Sequence, residues 1–61
     1  MTPEMRLKLR KLLVQHEGYE SHPYKDSLGF TTIGIGRNLD TRGILPTEID
    51  MLCEHDMQYF Y

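Results

Sequence analysis

Apolar residues keep a helical period at the two ends of the chain and lose it in the middle. Met5, Leu9, Leu12, Leu13 and His16 fall on one helical face, with Leu7 and Val14 at its edges and Arg6, Lys8, Arg10, Lys11 and Gln15 on the other side. This spacing predicts a helix over 3–16. Thr2 suits its N-cap, Pro3 its first turn, where no amide donor is needed, and Gly18 its stop, because glycine tolerates the left-handed conformation that closes many helices. From Glu20 to Leu45 the period disappears, and Tyr24, Phe30, Thr31, Thr32, Ile33 and Ile35 supply β-formers among glycines. The expected elements are a strand near 22–25, a turn through Asp26-Ser27-Leu28-Gly29, a strand near 30–35, and a short third strand or loop from Arg37 to Gly43. The helical pattern returns over 47–61, with Ile49, Leu52, Cys53 and Phe60 on one face. Thr47 and Asp50 resemble a capping box, and Leu45 and Met51 can staple across it. The fold class is therefore α+β, a single small domain over 1–61: a helix, a two- or three-stranded antiparallel hairpin sheet, and a second helix.

The 61-residue length limits what this pattern can bury. A domain of this size hides only about 60% of the surface its unfolded chain exposes, so one small core is the most to expect. Cys53 is the one cysteine, so no intramolecular disulfide is expected, and its place in a helical pattern reads as a small core residue. His16, His22 and His55 lie 6 and then 33 residues apart, which is no zinc-ligand spacing; no metal is expected. A net charge of -2 and a pI of about 5.8 argue against a nucleic-acid partner. The charge is uneven. Arg6, Lys8, Arg10 and Lys11 gather near the start and acids gather between Glu48 and Asp56. The basic cluster reads as a solvated helix face or as an attraction to an anionic polymer such as a bacterial wall. No run of about 18 apolar residues predicts membrane insertion. No apolar segment of about 7–15 residues precedes a small-residue cleavage site, so synthesis in the cytoplasm is expected.

Glu17 falls at the C-terminal end of the first helix, where unpaired carbonyls carry partial negative charge and disfavour the ionised carboxylate. That is the bias a general acid needs near neutrality. Asp26 opens the turn between two strands, a common structural position for Asp. Thr32 lies on the second strand, where its β-propensity alone accounts for it and where a hydroxyl near both carboxyls can hold a water. Glycosidases use two carboxyl groups, one protonating the leaving oxygen and one assisting at the sugar carbon, and Glu17 and Asp26 are compatible with that pairing. Gly34-Ile35-Gly36 is not a dinucleotide fingerprint, because Leu39 stands where the third glycine belongs. These glycines suit either close approach of a bulky ligand to the backbone or a sharp bend after the strand. No Ser-His-Asp constellation appears.

His16-Glu17-Gly18, then Tyr24-Lys25-Asp26, then Thr32-Ile33-Gly34-Ile35-Gly36 resemble the signature of T-even-type phage lysozymes, the muramidases of glycoside hydrolase family 24. In that family an acid followed by Gly precedes an Asp by nine residues, and six further on a Thr opens a Thr-Ile-Gly-x-Gly run; Glu17, Asp26 and Thr32 stand at those spacings. Gly36-Arg37-Asn38-Leu39 and Arg42-Gly43-Ile44 continue the likeness, which covers roughly residues 5–57. Some relatives carry His directly after the final glycine, where this chain has Arg37. The resemblance implies a peptidoglycan hydrolase of endolysin type that cleaves the β-1,4 bond between N-acetylmuramic acid and N-acetylglucosamine. Glu17 would be the general acid, Asp26 the base or nucleophile, and Thr32 the residue that positions water or supports Asp26. No cofactor and no metal are implied. The protein would be made in the host bacterial cytoplasm and act on the wall after release.

Enzymes of this family carry a second, helical lobe beyond a connecting helix, with the sugar cleft between the lobes. The likeness implies that this chain corresponds to the catalytic lobe with the C-terminal helical lobe absent, so weak or no activity is expected from it alone. Two rivals remain: a glycan-binding module that does not cut, and an inactive folding fragment. Either would self-associate into a homo-oligomer through the apolar stretch Met57-Gln58-Tyr59-Phe60-Tyr61. Carboxyl groups about 5–5.5 Å apart would imply retention, and about 6.5–9.5 Å inversion.

Overall fold

Thr2, Pro3 and Gly18 bound the first helix as expected. In the computed structural model, which describes residues 1–60, α1 runs Pro3–Glu17, one residue beyond the sequence reading. The Thr2 hydroxyl accepts from the Met5 amide at 3.1 Å, and Pro3 fills the first turn. At the other end the Gly18 amide donates to the Val14 carbonyl at 2.8 Å. Gly18 has φ 85° and ψ -178°, so it does not take the left-handed helical cap. It occupies a region of backbone space that is essentially reserved for glycine.

An antiparallel sheet follows, with β1 (Glu20–Lys25), β2 (Thr31–Gly34) and β3 (Arg37–Asn38) in the order β1-β2-β3. The strand expected near 22–25 begins two residues earlier, at Glu20, and the strand expected near 30–35 shortens to Thr31–Gly34. The third strand forms, as two residues only. Glu20 pairs with Gly34, but Tyr24 pairs with Thr32 and Lys25 with Thr31, so the register shifts between Glu20 and Tyr24. Pro23 lies in that interval and has no amide to give the ladder, which accounts for the irregularity. Asp26 closes the β1–β2 turn as its sequence suggested: its carbonyl accepts from Gly29 at 3.0 Å and its Oδ1 from the amides of Leu28 and Phe30 at 2.9 and 2.8 Å.

The second helix, α2, runs Pro46–Phe60; Tyr61, part of the expected 47–61 span and of the apolar stretch, lies outside the described residues. Its start differs from the Thr47–Asp50 capping box expected. Pro46 is the first helical residue, which makes Leu45 the cap. Glu48, three residues on, reaches back so that its Oε1 accepts from the Leu45 amide at 2.8 Å. The Leu45–Met51 staple falls away with the displaced cap.

The core expected from the apolar faces does not form. Among the described residues no hydrophobic side chain is buried; Met5, Leu9, Leu12 and Leu13 of α1 and Ile49, Leu52 and Phe60 of α2 are all exposed. Cys53 is an exposed thiol, not a core residue. Neither helix approaches the other, or any strand, within 8 Å between Cα atoms. The radius of gyration is 13.8 Å, against about 10.5 Å for a compact chain of this length. No helix among the described residues is long and apolar enough to cross a membrane.

Candidate active site

The three candidate residues come from three places: the last turn of α1, the β1–β2 turn and the centre of β2. Thr32 is the one buried polar residue among those described, with 4% of its surface exposed. It pairs with Tyr24 on one side and Asn38 on the other, so the middle of the sheet encloses it. Its Oγ1 donates to the Phe30 carbonyl at 3.1 Å, and that same carbonyl accepts from the Asp26 amide at 2.9 Å. One backbone oxygen therefore ties Asp26 and Thr32 into a single unit. With its proton committed to Phe30, the Thr32 oxygen keeps lone pairs that can accept from a water.

Asp26 is half-buried, and its two carboxylate oxygens have different roles. Oδ1 is held by two backbone amides, whereas Oδ2 has no hydrogen-bond partner among the described residues. The turn thus fixes the carboxylate and leaves one oxygen for chemistry.

Glu17 is exposed and reaches the β2–β3 turn. There Gly36, at φ +69°, lies so close beneath it that a Cβ at that position would stand 2.7 Å from Glu17 Oε2 and 2.9 Å from its Cβ and Cγ. Of the two readings of these glycines, the sharp bend is present as the β2–β3 turn, and the group that lies against Gly36 is the Glu17 side chain. The structure brings Asp26 and Thr32 together through Phe30, and it brings Glu17 onto the Thr-Ile-Gly-Ile-Gly run that contains Thr32.

Several supporting residues were not singled out as a site in the sequence. Asp40 Oδ2 accepts from the Thr31 amide at 2.7 Å, and the Leu39 amide donates to the Thr31 carbonyl at 2.8 Å, so the segment after β3 clamps the start of β2. Arg37, noted only where some relatives carry His, makes a bidentate pair with Glu48: Nη1 to Oε1 at 2.8 Å and Nη2 to Oε2 at 2.6 Å. Nη1 also donates to the Gly43 carbonyl at 3.2 Å. The Arg37 guanidinium, and after it the Leu45 amide, hold the Glu48 carboxyl down to about 2. The partner carboxylate raises Arg37. This pair fastens the start of α2 to β3 beside Gly36. The signal in the sequence was Glu48 three residues after Leu45-Pro46, but its partner eleven residues away was not readable.

A cavity of about 450 Å³ opens between the β2–β3 turn and α2, with Ile33, Ile35, Leu39, Met51 and Leu52 in its walls. Gly36 belongs to its lining, but Glu17, Asp26 and Thr32 do not, so this apolar hollow and the candidate carboxyls are neighbours and not one site. Among the described residues no group of three or more His, Cys, Asp or Glu side chains is placed to hold a metal ion. Comparison with models of protein families, with curated proteins and with solved structures gave no match.

Proposed function

We propose that this chain carries the catalytic residues of a peptidoglycan hydrolase of lysozyme type. The observation that supports this best is the seating of Glu17 on Gly36, which draws the end of α1 to the turn that follows the strand bearing Thr32. Glu17, exposed to an incoming glycan, protonates the glycosidic oxygen of the β-1,4 bond between N-acetylmuramic acid and N-acetylglucosamine. Asp26 acts at the anomeric carbon through its free Oδ2, either taking a proton from water or attacking directly. Thr32 accepts from the water and, through Phe30, keeps it in register with Asp26. The test is release of soluble muropeptides from purified peptidoglycan, with Glu17→Gln as the control. Release by the natural chain and none by the variant supports the reading. Release by both removes Glu17 as the acid, and release by neither from a chain shown to be folded removes the activity.

A second reading has one observation in its favour: among the described residues no hydrophobic side chain is buried, so the apolar faces of the helices have no cover there. On that reading the chain is an inactive lobe that holds wall glycan. Sedimentation of the chain with insoluble peptidoglycan, without release, would identify it.

A further inference from the structure

Thr31 is not one of the trio, yet the chain holds every polar atom it has. Its amide donates to Asp40 Oδ2 at 2.7 Å, its carbonyl accepts from the Leu39 amide at 2.8 Å, and its hydroxyl accepts from Lys25 Nζ at 2.7 Å. The first of these bonds departs from the sheet pattern. Thr32 pairs with Asn38 and Ile33 with Arg37, so the register sets Leu39 opposite Thr31. A continued antiparallel ladder would give the Thr31 amide the Leu39 carbonyl. The Asp40 carboxylate takes that bond instead. Asp40 is not needed to hold its own turn. The Leu39 bond to Thr31 does that, with the Thr41 amide on Asn38 Oδ1 and the Arg42 amide on the Asn38 carbonyl, both at 3.0 Å.

The Thr31 amide and the Phe30 carbonyl are two ends of one peptide group, and that carbonyl accepts from both the Asp26 amide and the Thr32 hydroxyl. Resonance links the two ends. An anion at the N–H pushes electron density toward the oxygen, which then accepts more strongly, as hydrogen bonds in a chain polarise one another. A bond to an ionised acceptor is also roughly twice as strong as a neutral one. We infer that Asp40 is a positioning residue of the proposed site, acting through the Phe30–Thr31 peptide to tighten the Asp26–Thr32 unit and to polarise the Thr32 hydroxyl. A Thr32 oxygen whose proton is drawn harder toward Phe30 accepts more strongly from the water. This inference rests on the reading of Asp26 and Thr32 as catalytic residues.

Two variants test it. Asp40→Asn keeps an oxygen for the Thr31 amide but no charge, and Asp40→Ala keeps neither. The first measurement is the scalar coupling across the hydrogen bond between the Asp26 amide nitrogen and the Phe30 carbonyl carbon, read by NMR on the folded chain at neutral pH. The coupling should shrink from the natural chain to Asp40→Asn to Asp40→Ala, and the Thr31 amide proton should move upfield in the same order. In the muropeptide assay Asp40→Asn should lower kcat about 5-fold, the worth of the charge in one such bond, and leave KM unchanged, because the water is affected and the glycan is not touched. A clamp that only fastened the turn would lower resistance to urea and leave the coupling as it was; that result overturns the inference. So does a coupling that shrinks while kcat holds. The coupling needs no substrate. If the natural chain releases nothing, the lysozyme reading fails by that result, and the coupling still decides whether Asp40 acts on the Phe30 oxygen.

Discussion

Gly36→Ala is the substitution that tests the site most directly. Two costs are expected, and they differ in origin. At φ +69° an alanine Cβ crowds its own backbone, which costs roughly 1–2 kcal/mol wherever it occurs. The same Cβ would stand 2.7 Å from Glu17 Oε2 and 2.9 Å from its Cβ and Cγ. The carboxylate end can swing aside, but the Glu17 Cβ moves only with the helix, so overpacking adds roughly 1–3 kcal/mol. The assay is urea unfolding followed by circular dichroism on four chains: natural, Gly36→Ala, Glu17→Gly and the double variant. Removing the Glu17 side chain should cancel the overpacking and leave the backbone strain, so the two substitutions should couple by roughly 1–3 kcal/mol. In the muropeptide assay the displaced carboxyl of the Gly36→Ala chain should cost about 100-fold in rate. Additivity to within about 0.5 kcal/mol would refute the seating of Glu17 on Gly36, and with it the main support for the reaction proposed here.

Other substitutions separate scaffold from chemistry. Asp26→Asn keeps an oxygen for the Leu28 and Phe30 amides but removes the charge, so the turn should survive, seen as unchanged amide chemical shifts, while muropeptide release is lost; Asp26→Ala should lose both. Thr32→Val keeps the shape of a buried side chain but cannot donate to Phe30, and unfolding should show a loss of about 1 kcal/mol, with Thr32→Ser closer to the natural chain. Glu48 is held well below its ordinary value, so its contribution to stability is full above about 4.5 and is lost as pH falls toward 2. Helix content of the natural chain should decline across that window, whereas the Glu48→Gln chain should already be weakened at neutral pH and show less of the decline.

The parts of the fold legible in the sequence were those fixed by neighbours along the chain. Thr2, Pro3 and Gly18 bound α1, and Asp26 with Gly29 closes the hairpin, because a cap or a turn is settled within about four residues. α2 starts one residue before Thr47, at Pro46, whose missing amide suits the first helical position, with Glu48 bonding back to Leu45. Less legible was everything that depends on distance. The Arg37–Glu48 pair, the Asp40 clamp on Thr31 and the shared Phe30 carbonyl join residues that no local period connects. The apolar-face residues of α1 and α2 stay exposed; periodicity says which side of a helix is apolar and not what lies against it. Glu17, Asp26 and Thr32 were singled out by spacing; that one of them needs a glycine beneath it was not visible.

The shared Phe30 oxygen and the Gly18 backbone divide the candidate site by stiffness. Asp26 and Thr32 ride on one hydrogen-bonded hairpin and can separate only if the sheet opens. Glu17 sits in the last turn of a helix that meets the hairpin at the Gly36 turn and approaches none of its strands, and the joint between them is a residue whose torsions only glycine readily adopts. Local opening should therefore divide the site. Amide hydrogen exchange will be fast through the last turn of α1 and slow at Thr31 and Thr32, and the proton donor will be the member of the trio whose position a bound partner or glycan can adjust.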